Sequence, residues 1–255
     1  MGVEYIWGIG KKSNCINTII CRMSFQFKQF KIDHHPEVFK FGTDAALLAT
    51  WVDLADDQNI LEVGIGSGVI TFIMGQRNPK ATYTGIDIST YAIELAQHNL
   101  THYTLPTRID FMKSKLQGFK PNRKFDHIVS NPPFFENSTK SPSNLKNTTR
   151  HTDTLPLRDL LTLSKDLLSP NGKISLIYPV RYLEDIYAIC EEIQLFPQRV
   201  HLTRSKPNKE IKRALIELHL QANNHFEKTE LIIEGDYKGY SKKVYEMFEP
   251  FYLKL

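Results

Sequence analysis

A chain of 255 residues, 41% hydrophobic and 24% charged, can bury one sizeable core plus a small appendage, and its composition excludes disorder as the general state. It holds no run of 18 apolar residues and opens on no basic, apolar and small-residue series, so neither a membrane span nor a secretory leader is expected and the chain reads as cytoplasmic. The net charge of +4 does not by itself point to nucleic acid, and the three cysteines, Cys15, Cys21 and Cys190, have neither CxxC spacing nor histidine neighbours at ligand spacing, so neither a disulfide framework nor a metal site is expected.

In chain order, residues 1–22 mix Gly, Lys and Asn without periodicity and read as an upstream or disordered extension, with Met23 as the functional start. Residues 23–58 open on the patterned "FQFKQFKI" and read as an N-terminal cap. Residues 59–255 form the main domain, in which short β-branched runs alternate with amphipathic ones. Strands are predicted at 60–63, 83–88, 108–112, 125–130 and 172–178, and helices at 69–76, 90–99, 157–168 and 183–193. Two late strands, 199–202 and 213–220, close the sheet as an antiparallel hairpin with a basic loop at its tip. The fold class is therefore α/β: a Rossmann-like, mostly parallel seven-stranded sheet with helices on both faces and an antiparallel C-terminal hairpin.

Three motifs carry chemistry. In "NILEVGIGSG" a strand ends at Glu62, and Gly64, Gly66 and Gly68 let the backbone approach a ligand at the start of a helix. A carboxylate at that strand end would oppose a phosphate but suits an ammonium group, which favours a cofactor carrying an amino acid. Asp87 ends the next strand in "YTGIDIS", where an acid can accept both hydroxyl hydrogens of a ribose; the alternative is a helix-capping role for the segment from Ser89 onward. Glu62 and Asp87 together favour S-adenosylmethionine over a nicotinamide dinucleotide. The third motif is "SNPPFF". Proline fixes its own φ and lacks an N–H, so Asn131, Pro132 and Pro133 form a rigid elbow at the end of the fourth strand. There the Asn131 side-chain oxygen and the Pro132 carbonyl can each accept one hydrogen of an exocyclic amine, with Phe134 stacking on an extruded base.

These elements look like a class I S-adenosylmethionine-dependent methyltransferase of the Asn-Pro-Pro-aromatic, amino-methylating group. "FQFKQFKI" (25–32), "FKFGTDAALLATW" (39–51), "SNPPFF", "TTRHTDTL" (148–155) and the ending "EPFYLKL" resemble the bacterial tRNA1(Val) (adenine(37)-N6)-methyltransferase family over 25–255. The resemblance implies methyl transfer to N6 of an adenosine in tRNA, with tRNA as partner and no metal, membrane or obligate protein partner. By the Asn-Pro-Pro motif alone, N5-glutamine methylation of a protein, or N6-adenine methylation of ribosomal RNA or DNA, stays open.

Carried over by position, Glu62, Gly64, Gly66 and Gly68 hold the methionine end of the cofactor and Asp87 the ribose. Asn131, Pro132, Pro133 and Phe134 hold the target adenine, and the Gly42-Thr43-Asp44 stretch lies over the cofactor unless it serves only as a helix N-cap. Such enzymes often place an Asp after the third strand, whereas this chain has Ser114 and Lys115, so Ser114 or a backbone group is expected to substitute at the cofactor adenine. Two basic stretches flank this site and are expected to meet RNA phosphates. The first contains Lys140, Lys146, Arg150 and His151, and the second Arg204, Lys206, Lys209 and Arg213.

Overall fold

A computed structural model describes residues 21–54, 58–133, 155–223 and 226–253. Residues 1–20, Phe134 and the basic stretch 140–151 lie outside the described residues. The chain enters as an antiparallel hairpin, β1 (Cys21–Gln26) and β2 (Lys31–His34), so the first strand begins two residues before Met23. Helix α1 (Thr43–Trp51) follows. Its Ala45 to Ala49 and Trp51 are all buried, as expected of a helix apolar around most of its circumference.

The alternation then runs β3 (Asn59–Val63), α2 (Val69–Arg77), β4 (Thr82–Asp87), α3 (Thr90–Leu100) and β5 (Arg108–Lys113). It continues through β6 (Phe125–Ser130), α4 (Leu157–Leu167), β7 (Leu168–Pro179) and α5 (Leu183–Ile193). The last elements are β8 (Phe196–Arg204), β9 (Arg213–His219), β10 (Glu227–Ile232), the small hairpin β11 (Glu234–Gly235) and β12 (Gly239–Tyr240), and α6 (Lys242–Phe248).

One sheet of eight strands has the order β10-β8-β9-β7-β6-β3-β4-β5. The seven expected strands are all in it, and the eighth, β10, adds to the edge parallel to β8. Only β9 runs against its neighbours, which makes β8 and β9 the expected antiparallel hairpin. Strand order reverses at β3, which pairs in parallel with β4 on one side and β6 on the other. Open α/β sheets bind ligands at the carboxyl ends of the strands flanking such a reversal.

Alternation along the strands sends Ile60 and Tyr83 to one core, with α1, α2 and α6, and Leu61, Val63 and Ile128 to the other, with α4 and α5. The head of the chain is fastened to its tail. Phe27 stacks on Phe30 at 4.5 Å and meets Tyr252 edge-on at 5.1 Å, Lys28 donates its backbone N–H to the Phe251 carbonyl at 2.7 Å, and Lys28 pairs with Glu249 at 2.7 Å. Segment 23–58 thus shares a core with the sheet.

Candidate active site

The glycine loop between β3 and α2 is drawn against the end of β4. Gly64 and Ile65 both donate N–H to the Ile86 carbonyl, at 2.8 and 3.3 Å, and Gly68 donates to Ile65 at 2.8 Å. Gly64 has φ 81° with open space where a side chain would stand, and Gly68 has φ 83° with Phe72 only 3.1 Å from a Cβ. Both positions need glycine, the first for its left-handed backbone and the second for that and for close packing.

Asp87, at the end of β4, orders this loop. Its Oδ2 accepts the Gly66 N–H at 3.1 Å and its Oδ1 the Ser89 N–H at 2.9 Å. Ser89 is itself the N-cap of α3, its Oγ accepting from Ala92 at 3.3 Å, so Asp87 is not the capping residue. A carboxylate with one backbone donor on each oxygen keeps lone pairs for further donors.

Glu62 is buried to 1% exposure beneath the loop. Its Oε2 accepts from both the N–H and the hydroxyl of Thr71, whereas its Oε1 has no partner among the described residues. Burial raises its pKa, the Thr71 bonds oppose this, and the nearby Asp87 charge adds to it, leaving the group at about 8. The Ser67 hydroxyl, in the same loop, is also buried without a partner. An ammonium would complete Glu62 and favour its charged form, so the donor and acceptor set fits the amino-acid end of S-adenosylmethionine.

Asn131 follows β6 directly, half-buried, with Pro132 buried and Pro133 exposed. Ser130 donates its hydroxyl to the Val63 carbonyl at 2.8 Å, tying the carboxyl ends of β6 and β3 together beside the loop. Glu62, the glycines, Asp87 and Asn131 therefore lie together at the carboxyl ends of β3, β4 and β6, where an open α/β sheet has its ligand crevice. Ser114 sits at the carboxyl end of β5; its N–H donates to the Asp87 carbonyl at 3.0 Å and its hydroxyl to the Lys115 carbonyl at 3.1 Å.

The chain is similar to methyltransferases. Its residues 29–180 match the family model "Methyltransferase small domain". A tRNA1(Val) (adenine(37)-N6)-methyltransferase of Parabacteroides distasonis is 38% identical over 91% of this chain and 98% of its own length. The protein of that name from Porphyromonas gingivalis is 36% identical over 89% and 94%, and that from Vibrio vulnificus 31% over 91% and 96%. The chain belongs to the tRNA1(Val) (adenine(37)-N6)-methyltransferase family. Among solved structures, a predicted O-methyltransferase from Agrobacterium tumefaciens superposes with TM-score 0.60 at 20% identity, over 81% of this chain and 95% of that one. That likeness bears on the fold, which is that of S-adenosylmethionine-dependent methyltransferases.

Elsewhere this family member is less simple than its sequence suggests. Gly42, the first residue of the Gly42-Thr43-Asp44 stretch, is the N-cap of α1; Thr43 is exposed, and Asp44 accepts from the Arg213 Nε at 2.9 Å. The β8–β9 loop does lie at the carboxyl rim, because Arg213 is in register with Pro179 at the end of β7. Arg204 spends its guanidinium inside that loop, on the carbonyls of Pro207 and Lys209 and on Glu230 at 2.8 Å, while Lys206 reaches Glu234 at 3.6 Å and Lys209 is exposed.

Two residues important to the crevice have no motif to mark them. Thr71 supplies both hydrogen bonds to the Glu62 carboxyl, and Asn99 is fully buried between layers. Asn99 donates to the Ser67 and Asp33 carbonyls at 3.0 and 3.3 Å and accepts the Asp33 N–H at 2.8 Å, pinning the glycine loop to β2. An Asn on the apolar face of α3, in line with Ala92, Leu95 and Ala96, was the available signal.

Proposed function

We propose that this protein transfers a methyl group from S-adenosylmethionine to N6 of an adenosine in tRNA, adenosine 37 of tRNA1(Val), in the cytoplasm. The observation that carries the reading is the placement of Asn131-Pro132 beside the glycine loop, on neighbouring strands tied by Ser130 and Val63. Membership of the family and the names of its relatives supply the substrate.

The cofactor supplies, when bound, an electrophilic methyl group on a sulfonium centre. Glu62 would hold the ammonium of the amino-acid end, its proton passing to solvent, the glycine loop would admit the chain, and Asp87 would accept from the ribose; Ser114 stands where the cofactor's adenine is expected. The exocyclic amine of adenine is a poor nucleophile because its lone pair is delocalised into the ring. Asn131 Oδ1 and the Pro132 carbonyl accept its two hydrogens, which holds the nitrogen toward tetrahedral geometry and aims its lone pair. No strong base is required, since the acidity of the methylated ammonium lets its proton pass to solvent. Phe134 would stack on the flipped base, and the basic stretches, Lys206 and Lys209 included, would contact phosphate.

The test is methyl transfer from labelled S-adenosylmethionine to unmodified tRNA, ribosomal RNA, DNA and bulk protein, followed by nucleoside and amino-acid analysis. N6-methyladenosine confined to a valine tRNA is expected. Label in a protein glutamine, or in DNA or ribosomal RNA alone, would overturn the substrate while leaving the amine clamp in place.

A further inference from the structure

Where β2 packs on the end of α3, two imidazoles and a carboxylate meet. Asp33, on β2, is buried; His98 lies in the last turn of α3 and His102 one turn further on. His102 lies in the turn that follows α3, where its N–H donates to the Asn99 carbonyl at 3.0 Å, and both rings face Asp33. His98 Nε2 is 2.9 Å and His102 Nε2 3.5 Å from the same Asp33 oxygen, Oδ2, and the three ligand atoms all lie within 4.8 Å of one another. Ligand atoms at about 2.0–2.1 Å from a tetrahedral zinc ion stand roughly 3.3 Å apart, so these separations need little closing.

Four further observations favour a ligand over a plain ion pair. His102 Nε2 is buried and makes no hydrogen bond with any described residue, although a carboxylate oxygen is near. The backbone of Asp33 is fixed on both sides by the buried Asn99, which accepts its N–H at 2.8 Å and donates to its carbonyl at 3.3 Å. Such outer contacts are what orient a metal-binding carboxylate. Lys31 pairs with Oδ1 at 2.8 Å, which occupies the oxygen turned away from the rings and leaves Oδ2 to them. Thr101 donates its hydroxyl to the His98 carbonyl at 2.7 Å and secures the turn that carries His102.

We propose that Asp33, His98 and His102 form a site for a divalent transition-metal ion of the zinc type, with solvent as the fourth ligand. Two neutral imidazoles and one carboxylate are a borderline set that suits zinc, cobalt, nickel or copper over magnesium or calcium. The ion would clip β2 to α3 at the point where Asn99 also holds Ser67 of the glycine loop. Its effect is therefore on the rigidity of the cap over the crevice, and no part of the methyl transfer passes through it. The sequence reading found no metal site because the ligands are separated by 65 residues and come from two elements.

The experiment is a titration of the untagged, metal-stripped full chain with cobalt(II), followed by zinc, with a thermal melt at each step. Expected are a visible absorption of tetrahedral cobalt that saturates at one ion per chain without sulfur charge transfer, its loss when zinc is added, and a melting temperature that rises with zinc concentration. In separate His98→Gln and His102→Gln proteins the affinity should fall by at least about 10-fold, since even outer-shell changes at metal sites cost that much, and the thermal response should go with it. No saturating band, or a band with sulfur charge transfer that assigns the ion to a cysteine, overturns the site. So does a band that survives in His102→Gln protein, whose unaltered melting temperature without metal shows that it has folded.

Discussion

The sheet buries two glutamates and treats them in opposite ways. Glu62 stands at the carboxyl end of β3, with one oxygen satisfied by Thr71 and the other without a described partner, and burial lifts it to about 8. Glu217, within β9, is also desolvated, yet the His219 hydrogen bond at 3.1 Å and the charges of Arg199, His127 and Lys173 outweigh burial and hold it down at about 2. Arg199, its closest cation at 2.8 Å, lies over the Trp51 ring at 4.0 Å. A buried carboxylate with a complete set of partners is part of the scaffold. One that lacks a described partner on one oxygen, beneath a glycine loop, is the one that a cation could complete, as the proposed function has it.

The contrast between crevice and hairpin is broken most severely at Asn131. Asn131→Ala should lower turnover by about 10³-fold, the scale of losing an oriented polar group at a reacting centre, with cofactor affinity and melting temperature unchanged. Loss of cofactor binding as well would show that Asn131 supports the fold. Arg199→Ala should do the reverse. It strands Glu217 and uncovers Trp51, and should cost about 3 kcal/mol of stability in urea unfolding, with methyl transfer retained at low temperature. A stability change under about 1 kcal/mol would mean that the ion pair is merely superficial.

Glu62→Gln comes next. Gln reproduces the protonated acid, so the fold should be kept near neutral pH while cofactor affinity, measured calorimetrically, falls roughly 10- to 100-fold for loss of a charge-assisted bond. The pH dependence sharpens this. A carboxyl raised from 4.5 to about 8 lends stability that is whole below the unfolded value and lost as pH rises through about 8. Wild type should therefore weaken relative to Glu62→Gln as pH rises from about 4.5 to about 8, with no further loss above that. Glu217, depressed to about 2, has the opposite sign: its contribution is whole above 4.5 and lost as pH falls toward 2.

How much of this was legible follows from what each residue answers to. β3, β4 and β6 are buried on both faces and read as apolar runs, and the glycine loop and Asp87 sit at their ends, so sheet and crevice could be placed together. β10, with Lys228, Thr229 and Glu230 exposed, has the charged surface of an edge strand and reads as loop. β7 begins at Leu168 rather than 172, because a register shift opposite Phe125 lets the pairing start across Pro170. The Asp44–Arg213 pair spans 169 residues, and no local pattern could show that a cap acid and a loop cation satisfy each other. Glu62 was legible as an acid at a strand end, but Thr71, which holds it, was one more polar residue in a helix.

The smallest predicted effect tests whether the satisfied end of the molecule depends on each partner. Trp51 donates its indole N–H to His201 Nδ1 at 2.9 Å, and His201 Nε2 meets Glu227 at 3.0 Å. The ring is thereby fixed as the tautomer with its hydrogen on Nε2. Burial lowers the His201 pKa, against the pull of Glu227 and with the help of Lys243 and Arg199. A histidine depressed below 6.5 contributes stability that is present above that value and lost as pH falls through its folded pKa. Trp51→Phe keeps a ring under Arg199 but leaves Nδ1 buried without its donor, which should cost about 1 kcal/mol at pH 8. Freed of the indole, Nδ1 can take a proton beside Glu227, so the folded pKa moves back up and the variant should lose less stability than wild type on acidification. Urea unfolding of both proteins at about pH 8 and about pH 5.5, on either side of the ordinary imidazole value, measures the gap. A gap that narrows in acid assigns the neutral state of His201 to Trp51, and a constant one assigns it to burial alone.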